Sequence, residues 1–318
     1  MLYAGFDIGG TKCAVTLGRS NGTDMQILER REIPTPGTWI EAMEAMFHRV
    51  EEMQAKIGEP LDACGFSCGG PLDAVRGVVL SPPNLPGWDE VPVTDMACER
   101  LGVAAFLEND ANACALAEWR WGAGRGTQNM AFLTFGTGLG AGLILDGRLY
   151  RGTNGNAGEV GHMRLAPFGP SGYGKEGSFE GFCSGGGIAQ LAGTLGRRAI
   201  QNGRKPLYYL GGWDVVTTKQ VAAAAKKGDP TAIQVFEQCG EKLGEGLALI
   251  VDMLNPQRIV IGSVFARCEE LIRPSMERVM ARECLSPSQE VVSVVPAMLG
   301  ESIGDYAALC VAEYGLAE

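Results

Sequence analysis

A strand, a glycine turn and a second strand occur twice in this chain, and that duplication limits the fold more than any other feature. Residues 2–8 form a short apolar run, Gly9-Gly10 a turn, and residues 12–17 a second run. With 25–33 these read as a three-strand meander. After Gly122-Ala123-Gly124 the pattern restarts: 129–135 is a strand, 136–140 a turn and 141–145 a strand. The echo is weak in residue identity, yet it indicates two related halves.

The remaining segments alternate. Residues 39–56 carry helical spacing through Ile40, Met43, Met46, Phe47, Val50 and Met53 and stop at Gly58. A strand over 61–66, a helix over 93–101, a strand over 103–108 and a helix over 111–121 follow. Residues 152–187 are glycine-rich with little regular signal and read as an extended loop. Asp229-Pro230 caps a long helix, then come a strand at 258–261, a helix at 269–282, a strand at 291–295 and a closing helix from 303. The alternation predicts an α/β protein with mixed sheets. At 318 residues the chain exceeds the size at which one core divides. The expected division is a first domain over 1–118, closed by the helix 303–318, and a second over 119–302.

A net charge of −10 argues against nucleic acid or an anionic membrane as partner. It leaves room for a phosphorylated ligand, which backbone N–H groups and a metal can hold locally. No stretch approaches about 18 uninterrupted apolar residues, so no membrane span is expected. The ten cysteines are scattered and form no CxxC pair, so they read as reduced thiols. With no signal-peptide pattern at the start, these features predict a cytoplasmic protein.

Two segments are candidates for phosphate contact. In Asp7-Ile8-Gly9-Gly10-Thr11-Lys12 the turn N–H groups can approach phosphate closely, Thr11 adds a hydroxyl, and Asp7 could hold Mg²⁺. Gly136-Thr137-Gly138-Leu139-Gly140 repeats the design. Either alone reads more readily as an ordinary hairpin, and only together do they suggest a cleft that grips phosphates from both sides. Neither matches GxxxxGK[ST] or leads from a strand into a helix, which disfavours a P-loop or a dinucleotide fold. On the acceptor side, Asn109-Asp110 lies where a strand meets a helix, and Asp110 is either a helix cap or a catalytic carboxylate. Asn84-Leu85-Pro86-Gly87-Trp88 offers an amide and an aromatic suited to a sugar hydroxyl or ring face, and Glu159, His162 and Glu180 add further polar groups. His48, in the first helix, reads as a surface or core-edge residue.

These segments, in this order, resemble the ROK family (repressors, open reading frames, kinases) within the actin-like ATPase superfamily. The resemblance runs nearly end to end through Asp7–Lys12, Gly69-Gly70-Pro71, 84–88, 108–113, 135–142, 158–162 and 259–263. It implies a two-domain actin-like, ribonuclease H-like fold with a cleft between the domains. It further implies phosphorylation of a hexose, usually at O6, with Mg-ATP. Asp110 would be the general base; Gly70, Asn84, Asn109, Asp110, Glu159, His162 and Glu180 would line the sugar. Asp7, Gly9, Gly10, Thr11, Lys12, Gly136, Thr137 and Gly138 would face the nucleotide phosphates, and Gly262 the adenosine. A homodimer is also implied.

The chain departs from the family pattern in places. Family kinases carry CxCGxxGCxE, whose three cysteines bind a structural zinc with the preceding histidine. Here that register runs from Ser171 to Glu180 and holds no cysteine, so no zinc is expected. Packing by Phe168, Tyr173 and Phe179 is the expected substitute. Gly262-Ser263 replaces a pair of glycines. No helix-turn-helix segment precedes Asp7, which disfavours the repressor branch. Glucose is the first expected acceptor, with N-acetylmannosamine, N-acetylglucosamine, fructose, mannose and allose as alternatives. The rival classes are a non-catalytic sugar-responsive regulator and an ATPase acting on a protein partner.

Overall fold

The structure, a computed structural model, describes residues 1–318. β1 (Leu2–Ile8), β2 (Lys12–Ser20) and β3 (Met25–Pro34) form the meander. They are followed by α1 (Trp39–Ile57), β4 (Ala63–Cys68), a hairpin of β5 (Leu72–Asp73) and β6 (Val78–Val79), α2 (Val93–Leu101), β7 (Ala104–Asn109) and α3 (Asp110–Trp121). Next come β8 (Met130–Leu133), β9 (Ala141–Leu145), β10 (Arg148–Leu149), a 3-10 turn at Val160–His162, and the hairpin β11 (Ser171–Gly172) and β12 (Lys175–Glu176). The chain ends with α4 (Phe179–Phe182), α5 (Gly185–Gln201), α6 (Thr218–Lys226), α7 (Pro230–Leu254), β13 (Arg258–Ile261), α8 (Val264–Glu283), α9 (Ser286–Gln289), β14 (Ser293–Pro296) and α10 (Ile303–Ala317). No helix is long and apolar enough to cross a membrane.

The duplication seen faintly in the residues is complete in the topology. One sheet is ordered β3-β2-β1-β4-β7 and the other β10-β9-β8-β13-β14. β1 runs antiparallel to β2 and parallel to β4, which is parallel to β7. In the same positions β13 runs parallel to β8 and to β14. Such mixed sheets with crossover helices are α/β architecture.

Two compact units result. One comprises Met1–Gln128, Gly142–Ala157 and Met298–Glu318; the other comprises Asn129–Ala141 and Gly158–Ala297. The division differs from a cut at 118/119, since 119–128, 142–157 and 298–302 group with the first unit. The reason is local bonding. α3 continues to Trp121, and the fully buried Glu118 carboxylate accepts the N–H groups of Ala123 at 2.7 Å and Leu299 at 2.8 Å. Arg151 pairs with Glu108 at 2.7 Å.

In the first unit the apolar face of α1 covers the meander. Thr38 caps its start, Gly58 ends it in the left-handed region at φ 74°, and Met43, Met46, Phe47, Val50 and Met53 are buried. Ile40 is not part of that face and stands exposed. Phe6 stacks on Phe66 at 4.4 Å and meets Phe47 edge-on at 5.8 Å. On the opposite side of the sheet the strands meet α10 through small residues. A methyl at Gly5 would lie 3.0 Å from the Ala308 Cβ, and one at Gly65 would strike the Ala308 carbonyl oxygen and the Ala312 nitrogen.

In the second unit α7 is the central helix. Asp229 caps it by accepting from Thr231 and Ala232, with Pro230 in its first turn. Gly240 and Gly244 let α8 approach at Ile272, Ser275 and Met276. α8 begins at Val264, five residues before the expected start, because Cys268 breaks the regular geometry (φ −128°, ψ 22°) and obscures the periodicity. Residues 152–187 are not wholly extended: they contain a 3-10 turn, a two-stranded hairpin, α4 and the start of α5. α5 opens on three glycines, which hide it from propensity, while Ser184 caps it by accepting from Gly187.

The tight approach of α10 generates a stability test. Gly65→Ala should cost about 1–3 kcal/mol through overpacking against helix backbone that has no rotamer to move. Gly186→Ala, where an added methyl meets nothing within 4 Å, is the control and should be neutral or slightly stabilising. Urea unfolding of the two variants separates these outcomes.

Candidate functional site

The first unit contributes the end of β1 and its turn. Glycine is required there by close approach: a Cβ on Gly9 would sit 2.7 Å from the Lys12 carbonyl oxygen, and one on Gly10 would strike the Asn84 backbone. Thr35 closes the turn by donating its hydroxyl to Gly9 O at 2.6 Å and its N–H to Thr11 O at 3.0 Å. Thr11 and Asn84 are exposed, so their polar groups are open to a ligand. Lys12 instead turns along the sheet and pairs with Glu32 at 2.9 Å. Trp88, which the sequence offered as a ring platform, is buried in the core and cannot face a sugar.

β7 delivers the acidic motif. Asn109 is the N-cap of α3; its Oδ1 accepts the Ala111 N–H at 2.9 Å. Asp110 occupies the first helical position, and its Oδ1 shares the same N–H at 2.8 Å. The two side chains therefore share the cap, and Asp110 keeps Oδ2 outside it on an exposed residue. Gly70 faces the Asn109 amide nitrogen, with 3.6 Å between that nitrogen and an added Cβ, and Gly69 stands beside Asp110 Oδ2. Behind them lies a buried group that the sequence reading left without a role. Glu108 Oε1 accepts from the Asn109 N–H and the Asn112 amide, both at 2.9 Å, while Oε2 takes the Arg151 guanidinium. Its position one residue before Asn109 was visible; its burial was not.

In the second unit the turn after β8 is held from several sides. Thr134 and Gly140 exchange bonds, with the Thr134 N–H donating to Gly140 O at 3.0 Å and the Gly140 N–H to Thr134 Oγ at 2.9 Å. Gly185, which opens α5, donates to Gly136 O at 2.8 Å, and Val264, which opens α8, donates to Phe135 O at 2.9 Å. Two helix N-termini thus lie beside the turn, a setting that favours negative charge. Thr137 is exposed. Gly262 donates to Leu133 O, and Ser263 follows at φ 54° with its hydroxyl bonded to Arg267. Glu159 and His162 are exposed on the 3-10 turn, and the half-buried Glu180 accepts the Leu139 N–H at 3.0 Å. Within this unit the structure brings Glu180 onto the glycine turn, a pairing the sequence did not indicate.

The profile of the ROK family matches residues 3–313. The chain belongs to the ROK family. It is 30% identical to the glucokinase of Streptomyces coelicolor over 306 residues, which are 95% of each chain. The crystal structure of a ROK family glucokinase from Streptomyces griseus, in complex with glucose and AMPPNP, is 32% identical, covers 99% of this chain and 100% of that one, and superposes with a TM-score of 0.79. The DNA-binding transcriptional dual regulator NagC of Escherichia coli is 29% identical over 92% of this chain and 73% of its own length. The fold is that of the actin-like ATPases.

In this ROK protein the segment that lacks the zinc cysteines is the hairpin β11–β12. Gln190 clasps Ser171 with two bonds of 2.9 Å, Lys175 donates to His162 O at 2.5 Å, and Arg164 to Glu176 O at 2.6 Å. Of the three aromatic residues expected to pack it, only Phe179 does, fully buried beneath Gly246 of α7. Phe168 and Tyr173 are largely exposed, and Tyr173 makes only an edge contact to the His162 ring at 5.4 Å. Polar clasps to backbone have replaced the apolar packing that the sequence pattern implied.

Charge in the first unit is concentrated around Asp7. Burial pushes its carboxyl from an ordinary 3.8 up to about 6, helped by the neighbouring Asp110 and Asp305 and opposed by Arg30 and Lys12. Asp110 is also shifted upward by the surrounding protein, against the Ala111 hydrogen bond that favours its charge. Solvent still reaches Asp110, which limits that rise. Asp7 is half-buried and titrates higher folded than unfolded, so its ionisation costs stability as pH rises from about 4 through about 6. Asp7→Asn should remove that cost. The ligand-free variant should be about 1–3 kcal/mol more stable than wild type near pH 7.5, and the gain should vanish near pH 4. Denaturant titrations at the two pH values check this.

Proposed function

We propose that this ROK protein transfers the γ-phosphoryl group of ATP to a hexose, with glucose as the first acceptor and O6 as the expected hydroxyl. One observation carries the reading. Asp110 stands at the first position of α3 with its pKa raised; its Oδ1 shares the Ala111 N–H with Asn109, and Oδ2 takes no part in the cap. Asn109 already accepts that N–H, so the cap alone does not call for a carboxylate at position 110. The two glucokinases that match most of the chain support the same reading.

Phosphoryl transfer passes through a loose transition state, so positioning and charge neutralisation dominate. Asp110 orients the sugar hydroxyl and takes its proton late, when bond formation has made it acidic. Its raised pKa brings it closer to the alcohol it serves than an ordinary carboxylate would be. The turn amides at Gly10–Thr11 and Thr137–Gly138 bind phosphate oxygens, and Thr11 and Thr137 add hydroxyl donors. Mg²⁺ bound with ATP would supply neutralisation of charge on the transferred group. Asp7 fits that ion: it is a hard oxygen donor whose ionised form a cation would stabilise against Asp110 and Asp305. Asn84, Asn109, Gly70, Glu159, His162 and Glu180 form the acceptor set, and Gly262 adjoins the adenosine. Lys12, tied to Glu32, contributes long-range charge more than a direct contact. A cytoplasmic homodimer completes the proposal, on family resemblance.

A second reading, a sugar-responsive regulator without catalysis, is favoured by the similarity to NagC. Turnover separates the two. A coupled ADP-release assay over a hexose panel should give sugar-dependent release, fastest with glucose. Asp110→Asn should lower kcat by about 10²–10⁴-fold while leaving the glucose Kd within about threefold. Sugar binding without ADP release by wild type would favour the regulator, and near-normal turnover by the variant would remove Asp110 from its role.

A further inference from the structure

Glu180 is half-buried, and its two oxygens have different surroundings. Oε2 accepts the Leu139 N–H at 3.0 Å, inside the second glycine turn. Oε1 accepts no hydrogen bond from the protein. The side chain is wedged in place by glycines on three segments. An added Cβ at Gly138 would lie 2.8 Å from Oε2, one at Gly172 would lie 2.7 Å from the Glu180 Cβ, and one at Gly161 would lie 3.3 Å from it. Its backbone is equally anchored. Ser178 caps α4 by accepting from Gly181, Phe179 donates its N–H to Met163 O at 2.8 Å, and the Phe179 ring packs against Gly246. Gly185, at the other end of this segment, holds Gly136 O. The loop bearing Glu180 and the turn therefore form one mechanical piece inside the second unit.

We propose that Glu180 is a positioning residue for the nucleotide turn, so that a hexose on Oε1 and phosphate on the Thr137 and Gly138 amides bind with positive coupling. The inference deepens the kinase reading and rests on it. Leu139 N–H is committed to Oε2, which fixes the Gly138–Leu139 peptide plane, and the carbonyl of that peptide accepts from the Gly136 N–H at 3.1 Å across the same turn. A hydroxyl donated to Oε1 restrains the carboxylate further and so restrains the turn. By linkage, phosphate bound at the turn must strengthen hexose binding by the same factor, and couplings of this kind commonly reach about 5–150-fold. The wedge makes the effect reciprocal in structure as well: a methyl at Gly138 would push on the oxygen that holds Leu139.

The test is calorimetric titration of the full chain with D-glucose and with Mg-AMPPNP, each alone and each with the other saturating. Wild type should bind the second ligand at least about fivefold more tightly than the first-bound case alone predicts. Two crossed variants then exclude independent sites. Glu180→Ala should weaken AMPPNP alone by at least about threefold, and Glu180→Gln, which keeps an acceptor for Leu139, should restore it to within about twofold. Gly138→Ala should weaken glucose alone by at least about threefold. Wild-type affinity of Glu180→Ala for AMPPNP together with wild-type affinity of Gly138→Ala for glucose would overturn the proposal, as would a wild-type coupling factor near one. Phosphorylation of glucose by wild type is scored separately: turnover without coupling sinks only this inference, whereas a wild type that binds neither ligand sinks the kinase reading and this inference with it.

Discussion

Ala111 gives its N–H to the Asn109 side chain at the start of α3, and much of the first unit is arranged to keep that bond where it is. A helix start leaves several N–H groups without partners, and whichever side chain accepts them is held in place by the helix. Asn109 and Asp110 share the Ala111 N–H, so Asp110 is held by one oxygen and projects the other. Glu108 secures the arrangement from below. One oxygen receives the Asn109 N–H and the Asn112 amide, and the other receives Arg151, which continues to Glu318. A buried carboxylate is tolerable only when its charge is paired and its lone pairs are filled, and Glu108 meets both conditions. The strand end, the cap and Arg151 are thereby one rigid assembly, on which Asp110 is mounted.

Glycine plays a comparable part through the space it leaves. Gly65 allows α10 to lie against β4 with backbone on backbone, and Gly240 and Gly244 do the same for α8 on α7. Side chains cannot interdigitate at such distances, so these contacts tolerate no added volume. The same device reappears at the site. Gly10 admits the Asn84 backbone and Gly138 admits Glu180. Turns that must present N–H groups to a ligand also have to be packed from behind, and glycine satisfies both demands at once.

The sequence showed what periodicity and turn chemistry encode. The meander, α1 and α7 were readable because their apolar spacing and their caps, Thr38 with Gly58 and Asp229 with Pro230, agree with each other. The strand order of the second sheet was foreshadowed only by the echo at 129–145, since pairing between distant strands leaves no local signal. α5 was hidden by its opening glycines and the start of α8 by the irregular Cys268. Within the site, residue types on glycine-flanked turns were legible, but orientation was not. Lys12 facing Glu32, Trp88 entering the core and Glu180 bonding Leu139 each depend on which way a side chain turns once the loop is built. Asp305 was equally silent. An acid near the start of a helix is commonplace, and only the fold joins it to Thr16 and Arg30.

That last cluster explains how the first unit tolerates so much negative charge near one turn. Asp7, Asp110 and Asp305 interact through protein of low polarisability, where repulsion is stronger than in water. Asp305 is neutralised in place by Arg30 at 2.9 Å and by the Thr16 hydroxyl at 2.9 Å. Arg30 is itself shared with Glu32, which also holds Lys12. The cations of this region are thus spent on Asp305 and Glu32, and none is left in contact with Asp7. Burial first, and then the repulsion of Asp110 and Asp305, push the Asp7 pKa up to about 6. A protein selected for stability alone would have moved a lysine or arginine onto Asp7. Leaving it without a contacting cation keeps an oxygen donor next to the Gly9-Gly10 turn whose charge Arg30 and Lys12 offset only from a distance, an arrangement that accords with the cation site proposed above.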